Sequence, residues 1–407
     1  MSSTRVAPSP KSTARKTSRA GAGRGVNRAK PAERLRLEAL QAVARGADGL
    51  CFFQWRASRQ GAEKFHSALL PHAGTDTPQH RAVRALGREL PLLAEVVGTE
   101  VRAEAAVVFD WPNRWALEQR GRPSDRVDLA PLALARHGAL WDAHLTADYV
   151  HPEADLTRYR LVVVPNLYLA SDRAVENLVA HARRGGTLVA GFFTGVADDQ
   201  DTIRPGGMDG RLRDLLGVHP LERRPLDAPA GLDGGGTADL WSEELRLAGG
   251  TEVIASFADG TPAATRHGRA HHLATLPDPA VLRRLLAGAA DAAGAHPELP
   301  GLPDGVEAVR HGGLLFVLNH TAAPVHLPLS GPHRNLLTAR DTAALQLAPP
   351  RRSGVATHVT DRTPPCPTPP RTASTTPHPP PAGRTPTSAA TAGTASSCTA
   401  APRTSNW

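Results

Sequence analysis

A chain of 407 residues with a formal net charge of +8 has room for two or three cores, since one core rarely grows beyond roughly 250 to 300 residues. The charge sits at the ends: residues 1–30 carry eight Lys or Arg and no acid, residues 351–407 carry six Arg against Asp361, and the body between them is mildly acidic, which argues against nucleic acid or an acidic membrane as its partner. The three cysteines, Cys51, Cys366 and Cys398, have neither disulfide nor zinc spacing, and no apolar run approaches the roughly 20 residues of a membrane span, so a reducing cytoplasmic setting is expected.

Residues 1–25 are basic and nearly devoid of large apolar side chains, so they are expected to be disordered. Residues 33–44 (ERLRLEALQAVA) place Leu35, Leu37, Leu40 and Val43 at mostly helical spacing and stop before Gly46. An apolar run at 50–55 predicts a strand, and a helix is expected over 78–97. Helix, turn, strand, loop, helix is the rhythm of a (β/α)8 barrel, and only one barrel strand is visible.

From about residue 103 the texture changes. AEAAVVFDW (103–111), YRLVVVPNLYLA (159–170) and GGTLVAGFF (185–193) are nearly continuous apolar runs, as expected of strands covered on both faces in a parallel sheet. Residues 129–145 and 174–183 read as crossover helices. Strands are predicted at 238–247, 252–258 and 262–274, then a helix at 279–293. The fold class is thus α/β, an open sheet domain over 99–294. Residues 295–348 are expected to form a small antiparallel β-rich unit whose last strand falls near 345–359. Beyond 349 the chain is Pro, Thr, Ser, Ala and Arg, and is again expected to be disordered.

The stretch GLCFFQWRASRQGAEKFHSALLPHA (49–73), followed by the long runs just quoted, resembles the β-galactosidases of glycoside hydrolase family 42 from about residue 26 to 217, and more weakly to 347. The resemblance implies that residues 26–98 are the end of the catalytic barrel, that 99–294 is an α/β domain, similar to class I glutamine amidotransferases, that joins subunits into a homotrimer, and that the activity is retaining hydrolysis of terminal β-D-galactosides without a cofactor. It also implies that Glu63 and His66, in the family's Glu-Lys-Phe-His, bond galactose hydroxyls. A carboxylate accepts from two hydroxyls, and a neutral imidazole both donates and accepts. Read without the resemblance, Glu63 and His66 are an i, i+3 surface pair. Trp55 and Arg56 have two readings, stacking at the sugar site or covering the barrel top.

Retaining glycosidases need two carboxylates about 5 to 5.5 Å apart, and in this family they lie on strands preceding the 49–73 segment. Asn27-Arg-Ala-Lys30 resembles the family's Asn-x-x-Lys beyond the nucleophile, yet residues 8–25 upstream hold no carboxylate. No catalytic residue is therefore expected within the chain. It reads as a catalytically incomplete β-galactosidase, completed by a separate N-terminal barrel fragment, or as a non-catalytic oligomerisation or galactose-binding remnant. Both flanks have the bias of high-GC DNA read out of frame, and the alternative is that they are genuine tails.

Other chemistries find little support. Asp110, Trp111 and Trp115 in FDWPNRWALE match the family as well; they read as a strand end with a turn at Pro112-Asn113, with a contribution to a neighbouring subunit's site as the weaker reading. An amidotransferase needs a cysteine at a sharp strand-to-helix turn, and residues 165–168 and 191–195 supply none. The segment after the first α/β strand is nothing like a dinucleotide fingerprint. His271 and His272, adjacent on a predicted strand, point to opposite faces and make a poor metal pair, so no metal site is expected.

Overall fold

The computed structural model describes residues 30–66 and 68–349, together with the strand Val359–Thr360. The expectations for 1–25 and for the tail after 349 fall outside the described residues, that strand excepted. The first predicted helix is α1 (Ala32–Ala44). Its apolar stripe of Leu37, Leu40 and Val43 packs on Val309, Leu314, Phe316 and Leu318, more than 260 residues further along the chain. Helix α2 (Pro78–Glu89) opens on a Thr77 cap whose hydroxyl accepts from the His80 amide. A 3-10 turn over Leu90–Val96 continues it, because Pro91 has no amide proton to extend the α-helical ladder.

The strand predicted at 50–55 is not formed. A parallel barrel strand is held by a neighbour on each side, and among the described residues none lies beside it. The segment instead folds onto its own loop, with Leu70 N–H donating to the Trp55 carbonyl (2.7 Å), Ala57 N–H donating to the Leu70 carbonyl (3.1 Å) and a single bridge between Arg56 and Leu70.

The α/β domain follows in chain order as β1 (Ala105–Val108), α3 (Trp111–Leu117), α4 (Leu129–Asp142), β2 (Ala147–Val150), β3 (Leu161–Val164), α5 (Asp172–Arg183), β4 (Thr187–Gly191), α6 (Gly210–Leu216), β5 (Val218–Pro225), β6 (Ala230–Gly231), β7 (Thr237–Asp239), β8 (Trp241–Leu247), β9 (Thr251–Ser256), β10 (Pro262–His267), β11 (Ala270–Leu273), β12 (Leu276–Pro277) and α7 (Pro279–Ala293). The main sheet has the order β2-β1-β3-β4-β11-β10-β9. Its first five strands are parallel, and β10 and β9 run antiparallel to their neighbours. Val162 and Val164 face α5 and α6, whereas Val107, Val163 and Val189 face α4 and α7. Successive residues point to opposite covered faces, which is why these strands read as unbroken apolar runs.

Two predicted strands are broken. The 262–274 run is a hairpin turned at Gly268 (φ 58°), and the 238–247 run is divided at Leu240 (φ 71°) into β7 and β8. Gly191, at the end of β4, is needed for a close approach: a Cβ there would lie 2.2 Å from the Pro165 carbonyl oxygen.

The final unit contains β13 (Val306–His311), β14 (Leu314–Asn319), β15 (Val325–Asn335), β16 (Arg340–Leu347) and β17 (Val359–Thr360), in the order β13-β14-β17-β15-β16. The strand anticipated near 345–359 is divided between the end of β16 and β17, which pairs with β14 and β15.

Candidate functional site

Glu63 and His66 stand on one turn of the loop after the irregular 50–56 segment. His66 N–H donates to the Glu63 carbonyl (2.8 Å), which brings His66 Nδ1 to 3.6 Å from Glu63 Oε1. Both side chains are partly open to solvent. The base of the loop is fixed by polar bonds: Ser58 Oγ donates to Gln54 Oε1 (3.2 Å), His72 Nε2 lies 2.8 Å from the Ser58 carbonyl and His80 Nδ1 lies 3.2 Å from the Leu69 carbonyl. Gln54 Nε2 is buried without an acceptor among the described residues. Phe53 meets His66 edge-on with centroids 6.4 Å apart. Phe53, Trp55 and Phe65 are 52 %, 64 % and 80 % exposed, so a polar pair is set among uncovered aromatic rings. Arg56 is also exposed. The chemistry available to Glu63 and His66 is hydrogen bonding to vicinal hydroxyls beside apolar faces, the pattern a sugar ring offers.

The carboxyl ends of β1, β3 and β4, where open α/β sheets bind ligands, are filled instead. Asp110 caps α3 by accepting from the Asn113 amide (3.1 Å), so the turn expected at Pro112-Asn113 is the first turn of a helix. Asn113 Nδ2 donates to the Asn166 carbonyl (3.0 Å), and the Leu169 amide donates to Asn113 Oδ1 (3.0 Å). Asn166 Nδ2 in turn donates to the Phe192 carbonyl (3.0 Å). These three side chain to backbone bonds knit the loops together and occupy the crevice. Cys51, remote in sequence from these turns, is the one free cysteine among the described residues.

Sequence reasoning missed a buried carboxylate–imidazole pair. His272 Nε2 lies 2.7 Å from Glu243 Oε2, with both side chains almost completely buried. Glu243 Oε1 accepts from Trp241 Nε1 (3.2 Å) and from the Phe193 amide (3.3 Å). Glu243 shares the inward phase of β8 with Trp241, and an acid in that phase of an alternating strand was the available signal. His271 lies on the opposite face, where burial pulls its imidazole down to about 4. Among the described residues no group of three or more His, Cys, Asp or Glu could hold a metal ion. No helix among them is long and apolar enough to cross a membrane.

The described residues thus comprise a loop carrying a carboxylate and an imidazole, a mostly parallel α/β sheet and an antiparallel β unit. Three family models match in succession: Beta-galactosidase over residues 10–93, Beta-galactosidase trimerisation domain over 103–295 and Beta-galactosidase C-terminal domain over 305–349. The chain belongs to glycoside hydrolase family 42. It is 40 % identical over 316 residues to a beta-galactosidase of Arthrobacter sp., covering 74 % of this chain and 45 % of that protein. To beta-galactosidase BgaB of Geobacillus sp. (strain Y412MC61) it is 38 % identical over 277 residues, covering 65 % and 41 %. The crystal structure of the beta-galactosidase from Bacillus circulans sp. alkalophilus superposes with a TM-score of 0.79 at 28 % identity, over 87 % of this chain and 55 % of that one. The chain spans about half the length of the curated relatives it matches.

Proposed function

We propose that this chain supplies the later part of a retaining β-galactosidase: the galactose-holding loop of the barrel, an α/β domain that assembles a homotrimer, and a small β domain. Glu63 and His66 hold hydroxyls of a terminal β-D-galactose. The acid and the nucleophile, two carboxylates about 5 to 5.5 Å apart in a retaining enzyme, come from barrel strands outside residues 1–407, joined to this chain or carried by a separate N-terminal fragment. No cofactor takes part in that chemistry. The observation that carries this reading is the unbroken order of family matches along residues 10–349, with Glu63 and His66 paired on the loop where the family's Glu-Lys-Phe-His stands.

Saturation-transfer NMR with methyl β-galactoside on the full chain tests it. Transfer is expected for the wild-type chain and lost in Glu63→Ala and in His66→Ala; equal transfer in all three would remove these residues from the proposed site.

A further inference from the structure

A cleft of about 400 Å³ opens where α1, α4 and β2 meet, a volume within the range of small-molecule sites. Gln41 and Arg45 of α1 form one wall, His137 and Trp141 of α4 a second, and residues 146–149 a third. His137 and Trp141 are four residues apart and so share one side of α4. Tyr149 lies two residues beyond Ala147, on the face of β2 that packs with α4. The His137 and Tyr149 rings stack with centroids 5.2 Å apart and planes 9° from parallel, and Trp141 meets His320 edge-on at 5.6 Å. Aromatic surface therefore stands beside polar groups that the fold has not used.

The charges around the cleft cancel. Arg45 is balanced by Glu307, which it binds through Nε (2.6 Å), so its two Nη groups remain as donors. Asp148 is balanced by Arg158, and its Oδ2 also accepts from the Tyr159 hydroxyl (2.9 Å). Burial pulls the half-buried His137 below its ordinary value, with the Arg45 charge adding to that and Glu307 opposing it. Its imidazole is thus neutral at pH 7, with one donor and one acceptor nitrogen. Burial raises the Tyr149 hydroxyl, which stays protonated. His137 Nδ1 is buried without a partner, and neither the Trp141 indole N–H nor the Tyr149 hydroxyl makes a hydrogen bond among the described residues. An anion meets only a cation that is already paired, a cation meets only paired carboxylates, and an apolar ligand would strand these groups. The ligand that matches has hydroxyls around a ring with apolar C–H faces.

We propose that this cleft binds a neutral monosaccharide. The site is built from α1, α4 and β2, not from the loop that carries Glu63 and His66, and it stands whether or not that loop holds galactose.

The test is fluorine-19 NMR of the full chain labelled with 5-fluorotryptophan, titrated with D-galactose, D-glucose and, as an anion on the same ring, D-glucuronate. The Trp141 resonance is identified by its loss in Trp141→Phe, and the resonance of buried Trp241 reports the fold of each variant. The expected result is a saturable shift of the Trp141 resonance with at least one of the neutral sugars and none with glucuronate. It persists in Glu63→Ala/His66→Ala, and its Kd rises at least about 10-fold in Tyr149→Ala and in His137→Leu, both folded. A Trp141 resonance unmoved by both neutral sugars would overturn the inference, as would an equal or larger shift with glucuronate. A shift lost in Glu63→Ala/His66→Ala would overturn it by tracing the effect to the other loop. A shift of unchanged Kd in both cleft variants would overturn it as well.

Discussion

Arg45 and Glu307, 262 residues apart in sequence, are joined by a 2.6 Å bond from the guanidinium Nε to the carboxylate Oε1. Glu307 also accepts from Gln41 Nε2 (2.8 Å) and lies 2.9 Å from His320 Nε2, so a single buried carboxylate ties α1 to the first two strands of the terminal β unit. Burial by itself raises the Glu307 carboxyl, but the His320 bond and the Arg45 charge outweigh it and hold it at about 2.

The Glu307 pKa in the folded chain is depressed below its ordinary 4.5. Its stabilisation is therefore fully present above pH 4.5 and is lost as pH falls toward 2. The shift corresponds to on the order of 3 kcal/mol. Urea titrations of the wild type and Glu307→Gln between pH 7 and 2.5 should show the stability gap between them narrowing across that window. A gap that is constant with pH would mean that the Glu307 pKa is the same in the folded and unfolded chain.

Arg136 lies on the core side of α4, fully buried, with no hydrogen-bond partner for any of its three guanidinium nitrogens among the described residues. Burial lowers it only to about 10, so it remains charged at neutral pH. An uncompensated buried charge costs several kcal/mol, and apolar replacements of similar volume are often neutral or better. Arg136→Met is expected to leave stability unchanged or raise it by about 1 to 4 kcal/mol in chemical denaturation. A loss of that size would show that the guanidinium has a partner.

Truncating Glu243 leaves His272 Nε2, Trp241 Nε1 and the Phe193 amide without their acceptor. Glu243→Ala should cost about 3 to 5 kcal/mol, and Glu243→Leu/His272→Leu should cost clearly less than the sum of the single changes. A double-mutant cycle in urea measures the coupling, and additive losses would show that the two side chains do not act as a pair.

Where burial is two-sided, the fold was legible in the sequence. The runs that became β1, β3 and β4 are apolar throughout because helices cover both faces, and α1 and α7 follow their apolar spacing. The edge strand β2 escaped notice because Ala147–Val150 buries only its first residue fully. The 50–55 run misled because its apolar character encodes neighbours that are not among the described residues. The β10–β11 hairpin was read as one strand because its turn is marked by Gly268 alone. Glu63 and His66 were named from the family pattern; Glu243 showed only as an acid in the inward phase of β8, and Glu307 gave no sign, since Gln41 and Arg45 reach it only in the fold.

On the function proposed above, this chain carries the galactose-holding part of a β-galactosidase without its two catalytic carboxylates. Hydrolysis of a chromogenic β-galactoside by the purified full chain, beside Glu63→Ala/His66→Ala, tests it most directly. The account predicts no turnover by either protein. Turnover by the wild-type chain that disappears in the double variant would contradict it, because an acid and a nucleophile would then have to lie within these 407 residues.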